Sequence, residues 1–505
     1  MKFKTLLTSA ACIAVIFSCQ DDDDNFVTPI VNTEVNFQYK NTIKIGGEGA
    51  SEISAYDAIS KKLFTVNVTS NQISINNISN LDAPVSETPI DLTSFGLPNS
   101  VAIYDGKLAV AVEANPKQNP GKILVYNTSN NVLINQYTVG ALPDMVTFSK
   151  DGKLIISANE GEPNDDYTID PLGSISIIDL SDDSVTTLDF TSFNSEEATL
   201  EAQGFRVFGL GATLAQDVEP EYITVSEDSN TAWVSLQENN GMAKVNLTTK
   251  TIEAIYPLGY KDYSLPGNEI DASDKDDATE LKSWPVLGMY QPDAIASVNI
   301  GGTDYIFSAN EGDSRDYDGF SEEVRVGDLV LDETAYPTIN DFQNEINLGR
   351  LKTTTVLGDT DNDGDVDQIY SYGTRSFSVW SGNGSLLYDS GNSIAQETLS
   401  LTPLRFNDED KRSDDKGAEP EAVSILNIAN ERYILFVGLE RNDQVLVYDI
   451  TNPIAPNFIT VLSHVGDEAP EGLLVIPATE SPNGKDLLVV SNEDSGTVSF
   501  YENIK

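Results

Sequence analysis

Cysteine and histidine are almost missing from this chain of 505 residues. The two cysteines, Cys12 and Cys19, both lie within the first 20 residues, and His464 is the sole histidine. The bulk of the chain therefore has no disulfide, no thiolate metal site and no cysteine nucleophile. A serine–histidine triad and a multi-histidine metal centre are set aside on the same ground. Basic residues are scarce too: 30 Lys and Arg stand against 80 Asp and Glu, a formal charge of −50. Nucleic acid and anionic membrane surfaces need basic patches, which argues against both as partners. No internal stretch is long and apolar enough to cross a bilayer. Carboxylates, hydroxyls, lysine and bound metal are left to carry any chemistry.

The carboxylates are periodic. Residues 290–313 read YQPDAIASVNIGGTDYIFSANEGD, two alternating runs around a Gly-Gly turn, opened by Pro292-Asp293 and closed by Asn310-Glu311-Gly312. The same pattern runs from Pro143-Asp144 to Asn159-Glu160-Gly161, from Pro220-Glu221 to Glu238, and from Pro470-Glu471 to Asn492-Glu493. It recurs at Pro98-Asn99 to Glu113, at Pro420-Glu421 to Glu440, and in weaker form from Ser51-Glu52 to Asn67. Each unit adds a third alternating run and usually a fourth. Seven units of four strands predict an all-β protein, a seven-bladed β-propeller. The last unit, ending at Lys505, has three strands, and the orphan run 34–45 is expected to supply its missing outer strand and close the ring.

The propeller is expected to occupy residues 34–505, with insertions near 191–216, 260–288, 312–374 and 407–417. A short helix is expected within 195–203, and 260–288 reads as a long polar loop. In a propeller the innermost strands line a channel, so the unit openers Glu52, Asn99, Asp144, Glu221, Asp293, Glu421 and Glu471 should meet at one mouth. The closers Glu113, Glu160, Glu238, Glu311, Glu440 and Glu493 should stand just outside them. Carboxylates about 8 Å apart repel by roughly 2 kcal/mol at an effective dielectric near 20. Such a ring needs cations, protons or bases such as Arg315, Arg325, Lys416 and Arg441; alternatively each acid caps its own turn through local amides. The candidate cation or ligand site is Asp144, Glu160, Glu221, Asp293, Glu311, Glu421 and Glu471, with Arg315 and Arg325 meeting an anionic ligand or neutralising the ring.

Two local motifs are sharper. Residues 359–367, DTDNDGDVD, set Asp359, Asp361, Asp363, Asp365 and Asp367 at alternate positions with Gly364 at the turn. That spacing wraps oxygens around calcium, which takes about 6–8 of them. Position 12 of the loop is Tyr370, so the bidentate glutamate of an EF-hand is missing; the motif resembles the calcium loops set between strands in integrin-type propellers. At the other end, Met1–Ser18 has a basic start and an apolar core, a secretory signal. Its end, Val15 to Cys19, resembles a bacterial lipobox, which implies lipidation of Cys19. The run Asp21–Asp24 behind it resembles the surface-export signal of Bacteroidetes lipoproteins. Residues 19–33 then form an acidic tether, and the outer membrane is the expected partner through the lipid.

Across about the last 450 residues the chain resembles the choice-of-anchor I family, relatives of the mesenchyme-specific cell-surface glycoproteins. The resemblance rests on GYKDYSLPGNEIDASDKDDA (259–278), MYQPDAIAS (289–297), ANEGDSRDYDGFSEEVR (309–325), RSDDKGAEPEAV (412–423) and APEGLLVIPATESPNGK (469–485). It implies a secreted or surface-anchored propeller and no established reaction, although some relatives carry alkaline-phosphatase labels. Two functions follow. One is a surface-displayed, monomeric, calcium-binding propeller that recognises a small molecule or glycan, or scaffolds extracellular structures. The other is a metal-dependent hydrolase of phosphate esters, with cations held by the mouth carboxylates.

Overall fold

A computed structural model describes residues 32–505; the signal peptide, Cys19 and most of the tether lie outside the described residues. Central strands such as Lys62–Asn67, Leu154–Asn159 and Arg432–Leu439 are buried on both faces along most of their length, which is why they read as near-continuous apolar runs. Outer strands such as Ser184–Asp189, reading SVTTLD, are polar and largely exposed, which blunts the free edge of the sheet.

The strands form seven four-stranded antiparallel sheets. Five of them are made of four consecutive strands, for example Pro143–Phe148, Leu154–Asn159, Ser174–Asp179 and Ser184–Asp189; a sixth, Ile295–Ile300, Thr303–Asn310, Ser376–Ser381 and Leu386–Asp389, carries the large insertion between its second and third strands. The seventh joins Pro470–Ile476, Leu487–Asn492 and Thr497–Asn503 to Phe37–Lys44, which pairs antiparallel with Thr497–Asn503 from Phe37↔Asn503 to Lys44↔Thr497. The first strand of each sheet touches the first strand of the next, and Pro470–Ile476 returns to Ser54–Asp57. That cyclic contact makes a β-propeller around a central channel. Apolar side chains fill the gaps between neighbouring sheets. Leu63 and Ile78 of the first sheet pack with Leu487, Val489, Val498 and Phe500 of the last.

The repeated Ser-Ala-Asn-Glu-Gly has a division of labour. Asn159 and Asn310 are fully buried, and each donates its amide to two hydroxyls of the next strand: Ser174 and Ser176, or Ser376 and Ser378. Ser157 and Ser308 donate to the asparagine oxygens from the other side. The asparagine thus staples the second strand to the third, and the following glutamate is thrown out at the strand end. Gly161 (φ +76°) and Gly312 (φ +87°) then turn the chain in a left-handed conformation that a side chain would strain.

The insertions are more ordered than their polarity suggests. The expected helix is Glu197–Glu201. Residues 260–288 are not simply a polar loop: Tyr260–Asp262 pairs with Val286–Met289, which runs parallel to Ile369–Ser371 from the large insertion. Tyr263, Ile270, Val286, Val326, Leu348 and Leu351 close a small hydrophobic core of their own. Widely spaced apolar residues from two insertions, each too few to read as an element, meet there. Among the described residues no helix is long and apolar enough to cross a membrane.

Candidate functional site at the channel mouth

Every sheet presents the start of its first strand and the end of its second at the same mouth. Asp144 lies close enough to Glu52, Asp293 and Glu238 to feel their charge, and Glu471 feels Asp293, Glu440, Glu493 and Glu52. A cavity of about 830 Å³ opens here, with Glu52, Asn99, Asp144, Glu160, Asp293 and Glu471 on its wall. The residue before the opener often makes the sharp entry: Leu142, Gln291, Glu419 and Ala469 all have φ between +40° and +55°.

Burial and mutual repulsion push these carboxyls up. Desolvation raises Glu52 to about 8, Asp144 to about 7 and Glu440 to about 7. Desolvation, strengthened by neighbouring carboxylates, puts Glu160, Glu221, Glu421 and Glu471 well above the usual range. Glu221 faces Glu238, and Glu421 faces Asp293, close enough for each carboxyl to feel the other. Carboxyl groups meet in this way only by sharing a proton or a cation.

Two triads are tight enough for one ion each, with an oxygen from every member within 4.8 Å of the others: Glu160, Glu221 and Glu238, and Glu311, Glu419 and Glu440. The second triad already has its cations. Lys416 bonds Glu311 and lies 3.8 Å from Glu419; Arg441 reaches Glu419 at 3.2 Å and Glu440 at 2.9 Å; Arg412 reaches Glu419 at 2.6 Å. The first triad has no ion pair to Lys or Arg among the described residues. Glu221 Oε2 and Glu238 Oε2 are buried without a hydrogen-bond partner. Glu238 itself is held by its backbone: its carbonyl accepts from Arg206 Nη1 at 2.7 Å, and the neighbouring Asn239 amide bonds Arg206 O and Asp217 O.

Arg315 and Arg325, expected to meet an anionic ligand or neutralise the ring, give their ion pairs to acids outside the triads, although the charge of Arg315 still opposes the rise that burial imposes on Glu238. Arg315 is fully buried, with Nη1 2.5 Å from Asp217 Oδ1, Nη2 3.0 Å from Glu219, and the guanidinium 4.4 Å from the Phe208 ring centre. The same Phe208 ring takes Arg206, whose guanidinium is 4.1 Å from its centre and pairs with buried Glu322. Arg325 bonds Asp414 at 2.6 Å and Arg350 O, tying the large insertion to the 407–417 loop. Neither is free for an anionic ligand. The hairpin Asp316–Tyr317/Phe320–Ser321 packs edge-on against Tyr167, and Tyr317 lies near enough to the first triad to feel the charge of Glu219, Glu238 and Glu160.

Sequence reasoning missed Glu219 and Glu419. Both stand immediately before the Pro of an opener, in the two Glu-Pro-Glu triplets 219–221 and 419–421, a signal that was available. Arg206 and Asp217 carried none.

In the 359–367 loop, Asp359 accepts the amides of Asp363 and Gly364 at 3.2 and 3.0 Å, and Asp367 accepts both Thr360 donors. Asp359, Asp361 and Asp367 bring an oxygen each within 4.8 Å, and so do Asp365, Asp367 and the unforeseen Asp332. Asp332 arrives through a bridge between Leu331 and Val366. Asp363 faces Asp361 and raises it; burial and then Asp363 lift Asp365 to about 6. An ion bound there would relieve the repulsion.

Comparison with known proteins agrees on the family. The model of the choice-of-anchor I domain matches residues 52–453. Gigasin-3a of Magallana gigas is 32% identical over 192 residues, covering 32% of this chain and 67% of that protein. Among solved structures, Kuenenia stuttgartiensis hydrazine synthase aligns over 92% of this chain and 97% of its own at 10% identity, TM-score 0.49. The Myceliophteria thermophila Cps50 (Swd1) β-propeller domain aligns over 92% and 99% at 8% identity, TM-score 0.46. The repeat units, the closed ring of first strands and the matched span together place this chain in the choice-of-anchor I family.

Proposed function

We propose that the protein is a calcium-binding propeller displayed on the cell surface, anchored by lipid on Cys19, whose channel mouth takes a cation and recognises a ligand rather than hydrolysing one. In this reading the seven sheets are seven blades, and Phe37–Lys44 closes the ring as the outer strand of the last. Packing of Phe37 edge-on against Phe436 of the preceding sheet, ring centres 5.0 Å apart, supports that closure. Calcium occupies the Asp359–Asp367 loop with help from Asp332 and ties the large insertion to the fifth blade.

One observation carries the cation at the mouth: Glu221 Oε2 and Glu238 Oε2 are buried, unpartnered, and within reach of Glu160. A buried carboxylate left without partner costs several kcal/mol. A divalent ion with oxygen preference meets all three at once. Against a phosphate-ester hydrolase, the bases around the mouth are already held by acids: Lys117 by Glu162, Arg315 by Asp217 and Glu219, Lys416 by Glu311, and Arg441 by Glu419 and Glu440. A phosphoryl group would meet carboxylates first.

The anchor is tested by Cys19→Ala, which should leave the protein unprocessed or released from the membrane fraction; normal processing and membrane recovery would contradict it. Calcium is tested by melting in chelator and in excess Ca²⁺. Binding to the folded state alone adds about 2.7 kcal/mol at a hundredfold excess over Kd. Asp361→Ala combined with Asp363→Ala should remove the loop's share of that gain, and an undiminished response would sink the loop assignment.

A further inference from the structure

The chain enters the propeller at the end opposite the mouth. Phe37 pairs with Asn503 and Lys44 with Thr497, so Phe37–Lys44 runs from that end towards the mouth. Ahead of the strand the backbone is tied down residue by residue. Asn36 N donates to Asn503 Oδ1 at 2.8 Å, and Asn503 Nδ2 donates to Glu34 O at 3.2 Å. Arg432 Nη1 reaches Thr33 O at 2.9 Å, and Lys505 Nζ reaches Asn32 O at 3.1 Å. Arg432 opens a second strand whose other end, Leu439, leads to Glu440 at the mouth. Asn32 is therefore held on the far side of the ring. The entry strand is fixed along its length as well: Tyr39 stacks on His464 with ring centres 3.8 Å apart, and the Thr42 and Ser499 hydroxyls meet at 2.7 Å.

The two ends of the ring differ in charge. At the mouth, Glu52, Asp144, Asp293 and Glu471 have no ion pair among the described residues, because the neighbouring bases are given to other acids. At the far end lie the turns that join first to second strands and third to fourth strands, and there acid meets base. Lys153 bonds Asp151 at 2.7 Å, Lys250 bonds Asp179 at 3.2 Å, and Arg432 bonds Asp449 at 2.8 Å. An anionic bilayer repels the first end far more than the second, over a screening length of about 8 Å at physiological salt.

We propose that the end where Asn32 leaves the fold is the membrane-facing surface of the protein, turned to the bilayer that holds the Cys19 lipid, with the channel mouth pointing into the medium. The inference rests on the lipid anchor proposed above. Residues 19–32 reach at most about 45 Å when fully extended. The entry strand covers about half of that, about 23 Å at roughly 3.3 Å per residue. A molecule with its mouth down would stretch half the tether back along its own flank and press its acids against the head groups. The ligand of the mouth is accordingly a water-soluble one that arrives from the medium, not a lipid of the anchoring leaflet.

The experiment uses the lack of cysteine in residues 32–505. Ile59→Cys lies in an exposed turn at the far end, and Val465→Cys lies in the exposed loop beside the mouth. Asn383→Cys and Leu404→Cys repeat the comparison elsewhere on the ring, so one variant that fails to fold does not decide it. Each full-length lipidated protein carries a fluorophore on the new thiol. It is placed in phosphatidylcholine–phosphatidylglycerol vesicles made with and without a lipid bearing a nitroxide on its head group. Labels at 59 and 383 should lose most of their emission to the nitroxide, and labels at 465 and 404 should keep theirs. Equal loss at both ends would mean that the molecule tumbles on its tether. Greater loss at 465 and 404 would mean that the exposed Leu404 and Val465 rim meets the bilayer. Either result would overturn the proposal, as would no loss at any position in a protein that floats with the vesicles. A protein that does not float fails at the anchor and takes the proposal with it, so flotation tells the two failures apart.

Discussion

Two glutamate triads sit in one channel mouth, equally tight and equally acidic, yet they solve the same electrostatic problem in opposite ways. Glu311, Glu419 and Glu440 are met by Lys416, Arg412 and Arg441, supplied by the 407–417 loop and its flank and by the turn after Leu439. Among the described residues Glu160, Glu221 and Glu238 have no ion pair: Arg315 is spent on Asp217 and Glu219, and Arg206 gives its hydrogen bonds to the Glu238 carbonyl and to Glu322. An inserted base decides whether a ring of acids is a structural knot or an open site. Where the chain brings its own cation the carboxylates are committed, and where it does not, they are left to a proton or, in the reading proposed above, to a cation from solution.

The sharpest way to break the contrast is to remove the built-in cation. Lys416→Met should strand Glu311, while Glu419 and Glu440 keep Arg412 and Arg441, and destabilise the metal-free protein by about 3–5 kcal/mol, the usual cost of halving a buried ion pair. Urea denaturation measures it, and added calcium should recover part of the loss because Glu311 is then left, like the first triad, without a base. A cost below about 1 kcal/mol would mean that the pair is solvated and not buried.

Glu238→Gln works on the other triad. It should erase the mouth's share of calcium-linked stabilisation, about 2.7 kcal/mol at a hundredfold excess over Kd, while leaving the metal-free protein as stable as before or more so. Combined with the Asp361→Ala/Asp363→Ala loop variant, the losses should add, because distant sites are independent. Calcium-dependent melting of the four proteins makes that check.

Protons give the smallest effect. Glu52 titrates at about 8 and Asp144 at about 7 when folded, because burial and neighbouring carboxylates oppose their ionisation. In the unfolded chain both lose their protons near pH 4. The folded state therefore holds protons that the unfolded state has released, so stability is greatest at the acid end of that window and declines as pH rises through 7 to 8. In chelator the melting temperature should be a few degrees lower at about pH 8.5 than at about pH 5, and Glu52→Gln with Asp144→Asn should flatten the slope. A wild-type profile that rises over this range would contradict the picture.

Much of this was legible in the residues, for a physical reason. A four-stranded unit repeats its turn chemistry, so Pro-acid openers and Asn-Glu-Gly closers mark the strand ends, and from them the convergence of Asp144, Glu160, Glu221, Asp293, Glu311, Glu421 and Glu471 could be expected. What stayed hidden depends on long-range contact. Arg315 looked like a ligand for the ring because it follows Glu311 closely, but its partner Asp217 lies 98 residues away in another insertion. Asp332 joins the 359–367 loop through the single bridge between Leu331 and Val366. The strands of the 260–288 insertion pair with each other and with Ile369–Ser371, so nothing local announced them.

The central claim concerns where the added cation goes, and crystals soaked in Mn²⁺ answer it through an anomalous difference map. The account predicts a peak among Glu160, Glu221 and Glu238 and none among Glu311, Glu419 and Glu440. A peak only at the second triad, or none in the mouth at all, would contradict it.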